Sequence, residues 1–122
     1  MTWKGAPRDT RPWYGFVYLI TNMKTGKSYI GKKFFWKNKH GKKTDIPSDW
    51  KTYWGSCNDL AKDIKKLGKK NFSREMMYLC ETRWGTAYKE LELQVKYDVL
   101  RHKQFYNGII RVRLPKYTGD KL

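Results

Sequence analysis

Acidic residues are scarce in this chain: 11 Asp and Glu stand against 27 Lys and Arg, leaving a formal charge of +16 on 122 residues. Cysteine is nearly absent as well. Cys57 and Cys80 occur in unrelated contexts with no CxxC partner, which argues against a zinc site or a disulfide framework and leaves two reduced thiols as filler. Long apolar runs are missing: nothing approaches the ~20 residues of a membrane span, and Met1-Thr2-Trp3-Lys4-Gly5 lacks the apolar stretch of a secretory signal. A soluble, cytoplasmic protein with no membrane partner is the expectation. No internal repeat and no low-complexity segment interrupts the chain.

What is present points to a polyanion. Each phosphate neutralised by Lys or Arg releases condensed counterions, so an excess of +16 favours nucleic acid. A membrane-surface helix would gather its basic residues opposite one wide apolar face, whereas here they are spread over several segments. The 39% apolar fraction suffices for one modest core. Most of the six Trp and nine Tyr belong in that core, although rings of this kind also stack on bases.

Along the chain, residues 1–13 are a basic, irregular lead-in, 14–114 a single domain and 115–122 a polar tail. Tyr14 to Ile20 is a continuous apolar and aromatic run, the pattern of a strand covered on both faces. Asn22-Met23-Lys24-Thr25-Gly26 is a turn, and Lys27 to Gly31 resumes strand character, predicting a β-hairpin. From Lys32 to Trp50 the composition predicts a long basic loop with at most a short helix. Ser56 or Asn58 can cap a helix carrying Leu60, Ile64 and Leu67, with Gly68 as its stop. Phe72 to Thr82 predicts a third, buried strand. Thr86 offers an N-cap to a second helix, well packed on the sheet, with Leu91, Val95 and Val99 on one stripe and Leu93, Tyr97 and Leu100 on another. Ile109 to Pro115 alternates briefly, so that Arg111 and Arg113 could face a ligand.

Phe16-Val17-Tyr18 is separated by ten residues from Tyr29-Ile30-Gly31, on the two arms of a hairpin with Thr25-Gly26-Lys27 at its turn. A glutamate-bearing helix and then Tyr106-Asn107 follow. Over roughly residues 14–107 this arrangement resembles the paired motif of the GIY-YIG nucleases, with the first triplet here Phe-Val-Tyr. The resemblance implies an α+β fold with a small, mainly antiparallel three-stranded sheet flanked by helices. It further implies a DNA endonuclease, phage-encoded or homing, that hydrolyses phosphodiester bonds with one Mg²⁺ ion, for which Mn²⁺ can substitute. A phage protein would act in the host cytoplasm, on DNA that is double-stranded.

Carried over residue by residue, the resemblance makes Tyr18 the general base or water-orienting phenol and Tyr29 the second phenol. Gly31 leaves room for close approach of DNA. The family's helix arginine has no counterpart, since no arginine lies between Arg11 and Arg74. Lys32, Lys33, Lys37, Lys39, Lys42 and Lys43 fill that region, with Lys32 favoured as catalytic or phosphate-clamping and the others as DNA-binding. Lysine supplies point charge but not a bidentate fork. His40 in the same stretch is a candidate to shuttle a proton or touch phosphate, while His102 suits the second helix's C-terminus.

For the metal ligand the choice lies between Glu90 and Glu92, which stand about 200° apart on a helix and cannot face one site. Glu90 is preferred and Glu92 is the runner-up. Asn107 is expected to tie the helix end to the site. A catalytically inactive nucleic-acid-binding module on the same fold is the alternative function, and a basic protein that binds an acidic partner is a third. Whether the product is a nick or a double-strand break depends on oligomeric state, a dimer being possible.

Overall fold

The computed structural model of the protein describes residues 2–40 and 42–117. Strand β1 (Gly15–Asn22) pairs antiparallel with β2 (Ser28–Phe34) on one side and with β5 (Phe72–Cys80) on the other. The resulting sheet has the order β2-β1-β5 and is the three-stranded antiparallel sheet expected. The β1–β2 turn closes because Gly26 adopts φ +77° and its amide bonds Asn22 O at 2.7 Å. The Asn22 side chain caps the turn, accepting from the Lys24 and Thr25 amides at 3.0 and 3.3 Å.

The period of two sorts β1 between two cores. Phe16, Tyr18 and Ile20 enter one cluster with Leu60, Ile64 and Phe72, and Val17 enters the other with Ile30, Cys80 and Val99. Helix α1 (Asn58–Leu67) contributes Leu60 and Ile64 and stops at Gly68, whose φ of +88° suits glycine. Its N-cap position is taken by Cys57, without a side-chain bond, and by neither Ser56 nor Asn58.

Several expectations are corrected. The segment after β2 is not a loop: β3 (Trp36–Lys39) and β4 (Lys42–Pro47) form a second antiparallel hairpin, followed by a 3₁₀ turn at Trp50–Thr52. Phe35, 1% exposed, and the half-buried Trp36 moor it to the core, while its basic residues project outward. Among its described residues the lead-in holds no helix or strand but is tied to the core at Trp3 and Lys4. Trp3 is 5% exposed, and Lys4 bridges to β5 through its amide to Arg74 O and its carbonyl to the Met76 amide.

The second helix, α2 (Arg83–Lys96), is capped by Thr82, whose hydroxyl accepts from the Gly85 amide at 2.9 Å; Thr86 is buried in the first turn. The buried residues of α2 are Gly85, Thr86 and Gln94, whereas Val95, Tyr97 and Leu100 are exposed. Asp98, at φ +54°, ends the helical course, so His102 lies beyond α2, where its imidazole stands 3.8 Å from Asp98. The segment from Ile109 to Pro115 lies outside any helix or strand, and of the polar tail residues 118–122 lie outside the described residues. No described helix is long and apolar enough to cross a membrane.

Arg74 shows how the segment leading to α1 is held. Its guanidinium lies between the indoles of Trp3 and Trp54, at 4.6 and 4.2 Å, and donates to the carbonyls of Lys51 and Tyr53. Arg74→Ala is expected to cost about 2–4 kcal/mol, read from denaturant unfolding, because charged hydrogen bonds and cation–π contacts are lost together. The two thiols also differ. Burial pushes the Cys80 thiol up to about 11, so iodoacetamide at pH 8 should label half-buried Cys57 and spare Cys80 in the native state. Because the folded pKa is raised, the stability gained by keeping Cys80 protonated is complete below about pH 8.5 and is lost as pH rises toward 11.

Candidate active site at the edge of strand β2

Strand β2 is an edge strand, so the outward amide and carbonyl of Ile30 need partners that the sheet does not provide. Asn107 supplies both. Its Oδ1 accepts from the Ile30 amide at 3.1 Å and its Nδ2 donates to the Ile30 carbonyl at 2.8 Å. Gln94 of α2 adds a second donor to that carbonyl, at 3.1 Å. One side-chain pair thus locks the YIG strand to α2 and to the chain beyond it. Asn107 thus joins the chain beyond α2 to the β2 edge, while the bond from α2 itself is made by Gln94. Tyr106 strengthens the junction, its hydroxyl accepting from Asn22 and donating to Asp63 at 2.7 Å.

Tyr18 and Gly31 are register partners across β1 and β2, and Tyr29 lies two residues back on the same face. The missing side chain at Gly31 is what the Tyr18 ring occupies: a Cβ there would overlap the Tyr18 hydroxyl and lie 2.6 Å from its Cζ. Tyr18 is 1% exposed, with ring centroids of Tyr29 and Tyr53 at 6.1 and 5.9 Å. Burial holds its phenol well above the usual range, and the neighbouring Tyr53, Tyr29 and Glu90 push the same way. Burial raises Tyr29 also, with a hydrogen bond from Ser56 opposing it.

On the other side of β2, Lys32 reaches α2, its Nζ 3.2 Å from Glu90 Oε1. Glu90 is half-buried, and desolvation raises its carboxyl even though Lys32 pulls it down. Lys33 points the opposite way, to Asp49 at 2.6 Å and over the Tyr53 ring at 4.2 Å. Tyr18, Tyr29, Lys32, Lys33, Lys37 and Glu90 all line one open cavity of about 710 Å³. Glu92 does not join them. It pairs with Lys89 and lines none of the cavities around Glu90.

His40 sits at φ +53° in the exposed tip of the β3–β4 hairpin and does not reach this cavity. Lys39 is exposed beside it, and Lys42 and Lys43 line a separate cavity with Arg83, Trp84 and Arg113. Asn38, Asp49 and Tyr53, which line the main cavity, were not singled out from the sequence, and Ser56, which lines it too, was offered only as a helix cap. The density of polar and aromatic residues from Trp50 to Ser56 was the available signal.

A hairpin joining two tyrosines through a glycine, with a helix glutamate beside the second arm, defines the class. The chain belongs to the GIY-YIG domain family: residues 3–110 match the family described as "Putative endonuclease segE, GIY-YIG domain". Two phage T4 proteins are similar to it. "Putative endonuclease segE" is 35% identical over 94 residues, which is 77% of this chain and 40% of that protein. "Putative endonuclease segD" is 31% identical over 94 residues, 77% of this chain and 37% of the relative. The chain thus spans well under half the length of these relatives. No solved structure matches it significantly.

Proposed function

We propose that the chain is an endonuclease that hydrolyses phosphodiester bonds of double-stranded DNA with a divalent metal ion. The observation that carries this reading is the single cavity that brings a half-buried carboxylate, two phenols and three lysines together at the β2 edge. Phosphodiester hydrolysis needs an oriented water, positive charge near the non-bridging oxygens and assistance to the leaving oxygen.

The donor set fits a hard cation. Among the described residues no three His, Cys, Asp or Glu side chains gather into a protein-only cage. Glu90 would hold Mg²⁺, an ion that keeps several waters and takes other ligands from substrate phosphate, with Mn²⁺ able to replace it. When bound, such an ion supplies Lewis-acid stabilisation at the oxygens that gain charge. Tyr18, whose phenol burial keeps protonated, donates a hydrogen bond and orients water rather than removing its proton. Tyr29 is the more accessible of the two phenols, and Lys32 contributes charge beside Glu90. Lys37, Lys39, Lys42 and Lys43 hold the DNA backbone by charge, giving affinity without sequence information, and Lys33 adds less because it is paired with Asp49.

Lys32 and a metal ion compete for Glu90. Lys32→Met should therefore lower the Mg²⁺ concentration for half-maximal activity by roughly fivefold, the worth of a partly exposed ion pair, while the maximal rate falls at least about tenfold. A metal titration of the cleavage rate reads both. The ion pair also favours a second reading, an inactive nucleic-acid-binding module in which Lys32 permanently neutralises Glu90.

One site cuts one strand per event, so a monomer nicks and only a dimer cuts both strands together. The phage origin of both relatives supports a phage or mobile-element setting, homing included. Supercoiled plasmid incubated with the pure chain in Mg²⁺, Mn²⁺ or EDTA decides between the readings. Nicked circles in the metal lanes alone are expected; binding without cleavage in every lane leaves only the module.

A further inference from the structure

Both strand lysines beside the catalytic carboxylate are already committed, Lys32 to Glu90 at 3.2 Å and Lys33 to Asp49 at 2.6 Å. The uncommitted positive charge on the α2 side of the site comes from the last part of the described chain. Arg111 lines a cavity of about 460 Å³ with Tyr29, Lys32, Ser56 and Glu90. Together with Arg113 it also lines an adjoining cavity of about 480 Å³ over Lys32 and Glu90. Neither arginine forms an ion pair or hydrogen bond among the described residues, and both side chains are exposed.

The segment that carries them is anchored at both ends. Asn107 is bonded twice to Ile30, and Ile110 packs against the Val17, Ile30, Cys80 and Val99 cluster. Farther on, Trp84 Nε1 donates to Pro115 O at 2.8 Å, and the Tyr117 ring lies 5.0 Å from Trp84. The backbone between these anchors is pinned over α2, with two guanidinium groups hanging free midway. A surface tail would not be fastened beyond its charges, and two like charges two residues apart gain nothing from each other.

We infer that residues 108–115 form a phosphate-binding strap of the active site, in which Arg111 grips the scissile phosphodiester and Arg113 a flanking phosphate of the same strand. The inference rests on the hydrolase reading for Arg111's place at the reacting group. A guanidinium presents five donors in a planar fork that matches two phosphate oxygens, which the lysines of the site cannot do. The charge that the β2 lysines spend on carboxylates is replaced by a group whose own donors are all available to substrate. Arg113 also borders the cavity of Lys42, Lys43 and Trp84, so the strap links the reacting centre to the basic hairpin.

Two readouts on the full chain test this. In single-turnover cleavage with Mg²⁺, Arg111→Ala is expected to lower the maximal rate by about 10²- to 10³-fold, the loss typical of one transition-state donor. Arg111→Lys should recover only part of it, and Arg113→Ala should act mainly on the half-saturating DNA concentration. In EDTA, duplex binding by fluorescence anisotropy gives the slope of log affinity against log salt. Each arginine-to-alanine change should reduce that slope by about 0.9, the value of one phosphate contact. Arg101→Ala, the same charge loss at an exposed residue paired with Asp98, should leave it unchanged. Unaltered slopes for Arg111→Ala and Arg113→Ala overturn the strap even if the wild type cleaves. Reduced slopes with no cleavage by any form keep the strap and remove the hydrolase reading.

Discussion

Gly31→Ala should both destabilise the protein and silence its site. The new Cβ would overlap the Tyr18 hydroxyl and come within 2.6 Å of Tyr18 Cζ and 2.9 Å of Tyr29 Cε2. Neither ring can swing away freely. Tyr18 is 1% exposed and wedged among Trp3, Phe16, Tyr29 and Tyr53, and Gly31 is fixed opposite it by the β1–β2 register. Overpacking of this kind costs about 3 kcal/mol, or roughly 10 °C in melting temperature for a domain this small. The activity should fall further than the stability alone explains. Displacing the two phenols by about an ångström is worth about 10²-fold in rate, measured at a temperature where circular dichroism shows the variant folded. A variant that melts and cleaves like the wild type would mean that the rings do not sit against this glycine.

The second large effect is expected for Glu90→Gln. The substitution keeps the shape of the side chain and a hydrogen-bonding oxygen near Lys32, but removes the half-buried carboxylate that shares the cavity with Tyr18, Tyr29 and Lys32; the cavity's other carboxylate, Asp49, is exposed and paired with Lys33. Under the proposed metal-dependent hydrolysis, losing the anion that would hold the ion should forfeit several kcal/mol at the transition state, or at least about 10³-fold in rate. Affinity for DNA in EDTA should not fall, because the change deletes a negative charge from a basic surface. Loss of binding in parallel with cleavage would instead assign Glu90 to holding the fold or the DNA.

How much of this was legible in the sequence depended on the range of the physics. The β1–β2 hairpin was, because a continuous apolar run, a glycine turn and a second short strand are local signals. Strand β5 and helix α1 were legible for the same reason, and Gly68 marked the helix end by its conformational freedom. The β3–β4 hairpin was not. Its residues Lys37, Asn38, Lys39, Lys42 and Lys43 show no alternation, and what makes it fold is the burial of Phe35 and Trp36 against a distant core. Trp3 was invisible for a similar reason, since its partners Phe16, Tyr18 and Arg74 come from other strands.

Helix α2 misled an apolar count because its buried residues are small or polar. Gly85 and Thr86 allow close packing, and Gln94 is buried in order to bond the Ile30 carbonyl. At the site, the spacing of Glu90 and Glu92 showed that only one could serve and the sequence favoured Glu90, while what each carboxylate faces depends on the rotation of α2 on the sheet. The Gln94 bond to the Ile30 carbonyl fixes that rotation, which turns Glu90 to Lys32 and leaves Glu92 on the exposed side of the helix. The alternation from Ile109 to Pro115 marked Arg111 and Arg113 as able to face a ligand, but the anchoring that brings them to this site rests on Trp84 and Ile30, far away in sequence.

The most direct test of the account compares Glu90→Gln with Glu92→Gln in nicking of supercoiled plasmid with Mg²⁺. These carboxylates stand two residues apart on one helix and differ in what they face. Glu90→Gln should abolish metal-dependent nicking, and Glu92→Gln should nick at the wild-type rate. Equal activity of both variants, or loss confined to Glu92→Gln, would contradict the placement of the hydrolytic centre at the β2 edge.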